Sequence, residues 1–213
     1  DTLSEKKYAA KVSVIKTLEL QDDNIEDFQN VVKHLNQISE LNFPSICRLF
    51  GYSTHNFTKQ PFLTTLVEYE PNGSLREIFE LQKQNKSPHE WDSTRKYIVI
   101  YGIAAGMEYL HKNHIIHRDL KPENILLDEF LFPKITDFLL SSVFYSDENH
   151  NFIPGASRSY MAPEIFSNVH YNQLVDVYAF GIIMYEILTG EKPYGDTQQT
   201  SEKSSFHPSF SSH

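Results

Sequence analysis

At 213 residues, 40% of them hydrophobic, the chain is long enough to bury the core of one or two domains. Twenty-eight acidic residues against 19 lysines and arginines leave a net charge of -9, which excludes non-specific nucleic-acid binding and an anionic membrane surface as partners. A single cysteine, Cys47, excludes an internal disulfide framework and fits a reducing, cytoplasmic compartment.

The N-terminus shows no signal peptide, and a start at Asp1 rather than methionine fits an incomplete sequence. The longest apolar stretches, Tyr97 to Ala105 and Val177 to Leu188, fall short of the roughly 20 residues that cross a bilayer. The second is also interrupted by Glu186. Both are expected to be buried helices.

Tyr8-Ala9-Ala10-Lys11-Val12 predicts a short strand carrying Lys11. Ten residues precede Lys11, and none is glycine. From Asp22 to Leu41 the apolar residues Ile25, Phe28, Val31 or Val32, Leu35, Ile38 and Leu41 follow a helical rhythm. Leu63 to Tyr69 predicts a strand, and Pro71-Asn72-Gly73 a turn. Ser74 then caps a helix over Leu75 to Gln82, with Glu77 as the capping-box acid. A polar loop, Lys83 to Ser87, leads to Pro88, and Trp91 to His111 predicts a long helix. On it Tyr97, Tyr101, Ala104, Ala105, Glu108 and Tyr109 recur at three and four, the small residues marking close helix packing. Histidines 111, 114 and 117 lack a helical i, i+4 pair, so no metal site is expected there.

Residues 117 to 124 read His-Arg-Asp-Leu-Lys-Pro-Glu-Asn. This matches every fixed position of HRDLxxxN and resembles the protein-kinase catalytic loop. Partner motifs follow in the family's order. Ile125 to Leu127 and Lys134 to Thr136 predict two short strands around an Asp128-Glu129 turn, and Asp137-Phe138 comes next. The position after it, normally glycine, is Leu139, which removes freedom at positive φ. Leu140 to Ser159 resembles an activation segment, with Ser141, Ser142, Tyr145, Ser146, Ser157 and Ser159 as candidate phosphosites. Ala162-Pro163-Glu164 closes it, and Asp176-Val177-Tyr178-Ala179-Phe180-Gly181 resembles the start of the family's buried central helix. There the aspartate should accept hydrogen bonds from the catalytic loop's backbone. After Lys192-Pro193-Tyr194 the pattern stops, and the Ser-, Gln- and His-rich residues 197–213 are expected to be a disordered tail.

The resemblance implies an α+β, two-lobe fold: a small antiparallel-sheet lobe whose first strands are missing, and a mostly helical large lobe whose last helices are missing. Residues 1–70 would form the partial small lobe and 71–196 the partial large lobe. It implies an ATP- and Mg2+-dependent kinase acting on serine or threonine of a protein substrate, since Lys121 resembles serine/threonine kinases. Gly51-Tyr52, Asn72-Gly73-Ser74-Leu75 and the Asp176 motif resemble the tyrosine-kinase-like group. Asp119 would orient and deprotonate the substrate hydroxyl, and Lys121 would stabilise the transferred phosphoryl group. Asn124 and Asp137 would hold magnesium, and Lys11 would grip the α- and β-phosphates. Glu68 and Tyr69 would offer backbone groups to adenine, while Ala9 and Leu126 would line its pocket and Val67 would guard the back.

Three departures from the family pattern imply an alternative, a catalytically weak or inactive pseudokinase or scaffold module. The glycine-rich loop is absent ahead of Lys11, and Leu139 replaces a glycine. Counting back from Leu41-Asn42-Phe43-Pro44, the helix glutamate that should anchor Lys11 falls on His34. The final helices would also supply an arginine for Glu164, which must otherwise be solvated, protonated or differently partnered.

Overall fold

The computed structural model describes residues 7–16, 25–138, 158–167 and 171–192. Leu139, the candidate phosphosites up to Ser157 and the expected tail lie outside the described residues.

The first sheet is antiparallel with order β1-β3-β2, built from β1 (Tyr8–Lys16), β2 (Leu49–Ser53) and β3 (Phe62–Glu68). Its register sets Tyr8 opposite Glu68, where the chain leaves the sheet, and Lys11 opposite Thr65 within the strand pair. β2 was not expected: Leu-Phe-Gly-Tyr-Ser carries no clean alternation, and its pairing slips in register between Leu49 and Gly51. Between β1 and β2 runs α1 (Ile25–Ser39). Its expected stripe is buried at Val31, Leu35 and Ile38, and Leu41 continues it past the helix end.

After β3, α2 (Leu75–Lys83) begins at Ser74 with both halves of the capping box formed. Ser74 N–H donates to Glu77 Oε2 at 2.6 Å, and Glu77 N–H donates to Ser74 Oγ at 3.3 Å. Gly73 is required there. It has φ of 67°, and a Cβ would lie 2.1 Å from Glu77 Oε2.

The long helix is α3 (Ser93–Lys112), and it turns a different face inward from the one its aromatic spacing predicted. Tyr97 and Tyr101 are 65% and 76% exposed, while Val99, Gly102, Ile103, Gly106, Met107 and Leu110 are buried. Close approach is made by glycines rather than alanines. A Cβ at Gly102 would fall 2.5 Å from Pro133 Cγ, and one at Gly106 would fall 2.7 Å from Ile135 Cδ1. Those neighbours belong to β5 (Pro133–Ile135), which pairs with β4 (Ile125–Leu127) in a two-stranded antiparallel sheet.

The last described helix, α4 (Leu174–Thr189), buries Val175, Ala179, Ile183 and Ile187 and ends at Gly190 with φ of 75°. One hydrophobic core runs from α1 and the first sheet through α2 and α3 to α4. The segment 45–47 laces the two sheets together: Cys47 N–H donates to Ile135 O at 2.9 Å, and Ile135 N–H to Ser45 O at 2.8 Å. No helix among the described residues is long and apolar enough to cross a membrane.

Candidate functional site

Three pieces of chain meet in front of this core: β1, the loop 117–124, and the residues after β5. The loop is held from beneath by Asp176, buried in the first turn of α4. Its carboxylate accepts from His117 N–H and Arg118 N–H, each at 2.8 Å, and from His111 Nε2 at 2.8 Å. The expected bonds from the loop's backbone are therefore formed. His117 is fully buried, and its Nε2 donates to Thr136 O at 2.9 Å, which ties the loop to the strand end carrying Asp137. Thr136 N–H closes the same junction onto Asn124 O at 3.0 Å.

This tethering holds Arg118 and Asp137 at φ of 65° and 69°, in the left-handed region. Non-glycine residues enter that region at a cost of about 1–3 kcal/mol each, sustained only where the surroundings over-determine the conformation.

Asp119, Lys121 and Asn124 come together as the spacing implied. Lys121 Nζ lies 2.7 Å from Asp119 Oδ2, and Asn124 Nδ2 donates to Asp119 O at 2.7 Å and Oδ2 at 3.1 Å. Across from them Lys11 forms an ion pair with Asp137. The expected lysine therefore reaches the expected aspartate. His34 lies in the middle of α1, and its pKa is lowered, first by burial and then by the positive charge of Arg118. The imidazole is thus held neutral, unlike the carboxylate that the pattern calls for.

The turn after β3 is less open than expected. Glu68 N–H already donates to Arg48 O at 2.9 Å, so that amide is not free for a base, and Glu68 O receives a long contact of 3.6 Å from the Cys47 thiol. The Glu68 carboxylate pairs with Lys134 at 3.0 Å. Next to it the buried Glu70 carries one oxygen, Oε1, without a hydrogen-bond partner. Its pKa is pushed up to about 7, first by burial and then by the neighbouring Glu68 charge. Burial and the same two carboxylates push the Cys47 thiol up to about 12, so it is no nucleophile. Tyr69 is exposed with Lys7 5.9 Å from its ring centroid, and Ala9 and Leu126 are partly buried against the core.

This order of elements, with a basic strand residue facing an aspartate beyond a half-buried Asp-Lys-Asn loop, agrees with a family-level comparison. The family model described as "Protein kinase domain" matches residues 3–211. The chain belongs to the protein kinase family. The kinase match reaches past Tyr194, where the recognisable motifs end. Among similar curated kinases is cysteine-rich receptor-like protein kinase 34 of Arabidopsis thaliana, 36% identical over 189 residues, covering 85% of this chain and 26% of the relative. A receptor-like serine/threonine-protein kinase of the same plant is 35% identical over 169 residues, covering 77% and 44% respectively. A probable serine/threonine-protein kinase of Dictyostelium discoideum is 34% identical over 188 residues, covering 86% and 24%. The chain thus spans less than half the length of these relatives.

Sequence reasoning missed a second cluster beside the kinase loop. Arg76 of α2 pairs with Glu186 of α4 at 2.7 Å and with Glu123 at 3.0 Å. The signal was available: Glu186 interrupts an otherwise apolar helix, and a buried acid needs a cation. Glu164, by contrast, is half-buried in the turn Pro163–Ser167.

Proposed function

We propose that the chain is an ATP-dependent protein serine/threonine kinase domain that transfers the γ-phosphate to a hydroxyl of a protein substrate. The observation that carries this reading is the joined set Asp119, Lys121 and Asn124, with Asp137 held across from it. Catalysis of phosphoryl transfer is mostly positioning and charge stabilisation, and these four residues are the positioned charges and amide that such a step uses.

The donor set suits magnesium. Asn124 spends its Nδ2 on Asp119 and so turns its amide oxygen outward as a hard ligand, and Asp137 supplies a carboxylate. Among the described residues no group of three or more His, Cys, Asp or Glu could hold a metal alone. Magnesium bound through substrate phosphates requires only one or two protein carboxylates. When bound, the ion would neutralise charge on the phosphates. Asp119 orients the substrate hydroxyl and takes its proton, and Lys121 moves from Asp119 toward the transferred group. Lys11, already neutralising Asp137, turns to the α- and β-phosphates. We propose the tyrosine-kinase-like group within the family and a reducing cytosolic setting, the latter supported by the free, buried Cys47.

A second reading, a nucleotide-independent scaffold, is favoured by the neutral His34 in the middle of α1. Phosphate transfer from γ-labelled ATP to a generic serine/threonine substrate separates the two. The kinase reading expects incorporation that Asp119→Asn abolishes. No incorporation above the Asp119→Asn background would leave the scaffold.

A further inference from the structure

Arg76 touches three other parts of the chain. Its Nη1 donates to Glu186 Oε1 at 2.7 Å, its Nε to Glu123 Oε1 at 3.0 Å, and its Nη2 to the Tyr160 hydroxyl at 2.5 Å. The Tyr160 hydroxyl in turn donates to Glu186 Oε2 at 2.5 Å, which closes a ring. Glu186 has a side chain only 2% exposed, so the guanidinium and the phenol satisfy a carboxylate that water cannot reach. Burial acts against the charge on Arg76, and the bonds to Glu186 and its neighbours outweigh it and tighten the proton. Tyr160 is likewise pushed upward, by burial and by the bond to Glu186.

The arm to Glu123 has a different meaning. That side chain is 42% exposed and would be solvated without a partner. It sits, however, in the single 3-10 turn Pro122–Asn124, beside the buried Asn124 whose amide fixes Asp119. Glu123 faces α2 and Asn124 faces Asp119, so holding one side of a three-residue turn restrains the other.

We propose that Arg76 is a positioning residue, which anchors the loop 119–124 from the α2 side and locks it to α4 and to the 158–160 turn. The catalytic loop, α4 and that turn then keep one relative placement while Asp119 and Asn124 act. The proposal rests on the kinase reading for what the loop does, though not for how it is held.

The test uses the full chain with Glu123→Ala, Arg76→Gln and their double variant. Three quantities are read: amide hydrogen exchange over residues 119–124, kcat with the KM for ATP, and the denaturation midpoint. Glu123→Ala should leave the midpoint in place, speed exchange over 119–124, and lower kcat by about tenfold with KM for ATP unchanged, because misplacement costs rate before it costs binding. The double variant should be no slower than Arg76→Gln, since the two residues form one tie.

Arg76→Gln strands a buried carboxylate, so a second pair, Arg76→Met with Glu186→Met, removes both charges and keeps the fold. It should give the same faster exchange. Unchanged exchange and unchanged kcat in Glu123→Ala and in the methionine pair would overturn the proposal. If the wild-type chain transfers no phosphate, the kinase reading fails on that result alone. The exchange over 119–124 then decides the anchor: faster in the variants supports it, and unchanged refutes it.

Discussion

Asp176 is the point at which removing one atom type should have the largest consequence for the site. Its two oxygens take separate main-chain donors, Oδ1 from Arg118 N–H and Oδ2 from His117 N–H, with His111 also on Oδ2. Asp176→Asn keeps one oxygen and sets an NH2 against the other amide. A hydrogen bond to a charged group contributes about 1.5–3 kcal/mol, and a buried donor left unmatched costs about 1–3 kcal/mol. Some relaxation of the loop offsets part of that, so the expected loss is about 2–4 kcal/mol. This is a large share of a domain's total of about 5–15 kcal/mol, yet leaves a folded majority at room temperature. Urea unfolding followed by the fluorescence of Trp91, the chain's single and buried tryptophan, reads it directly. With a slope near 2 kcal/mol per molar, the midpoint should fall by about 1–2 M at unchanged slope. A fall below about 0.3 M would mean that the amides of residues 117 and 118 find other acceptors, and that α4 does not hold the loop.

Three further outcomes follow from the same geometry. Gly106→Ala should destabilise the chain by about 1–3 kcal/mol in the same titration, since the new methyl meets Ile135 at 2.7 Å and the Ser45 main-chain oxygen at 3.2 Å. Ser74→Ala removes the capping-box hydroxyl of α2 and should cost about 1 kcal/mol, measured as a lower midpoint with unaltered slope. Glu70→Gln concerns pH. The folded-state pKa of Glu70 is raised to about 7, so the unfolded chain loses this proton first. Glu70 thus weakens wild-type stability as pH rises from its ordinary value near 4.5 through about 7. The glutamine variant should match wild type near pH 4 and exceed it at pH 8 by on the order of 1 kcal/mol after solvent screening, and equal stabilities at pH 8 would contradict that assignment.

Much of the site was legible because its chemistry is local in the chain. Asp119, Lys121 and Asn124 lie within one loop, so their spacing alone brings them together. The Ser74–Glu77 cap is a four-residue signal, and the apolar rhythm of α1 has only one face that could be buried. The aromatic stripe of α3 misled for a physical reason. That helix is apolar nearly all round, so a three-four repeat can be drawn on more than one face, and the close approach of β5 selects the glycine face. Arg76 and Glu186 lie 110 positions apart, and no periodicity links them. Likewise, nothing in the sequence near Glu68 shows that Arg48 O takes its amide.

We propose that Lys11, Asn124 and Asp137 meet around one magnesium nucleotide. Thermal melts of the purified chain test it, with and without Mg-ATP, for the wild type, Lys11→Met and Asp137→Asn, each variant compared with its own nucleotide-free melt. A ligand at one hundred times its dissociation constant stabilises the folded form by about 2.7 kcal/mol. Mg-ATP should shift the wild-type melt upward, and both substitutions should abolish or sharply reduce that shift. A cooperative wild-type melt that Mg-ATP does not move, or a shift of equal size in all three proteins, would contradict it.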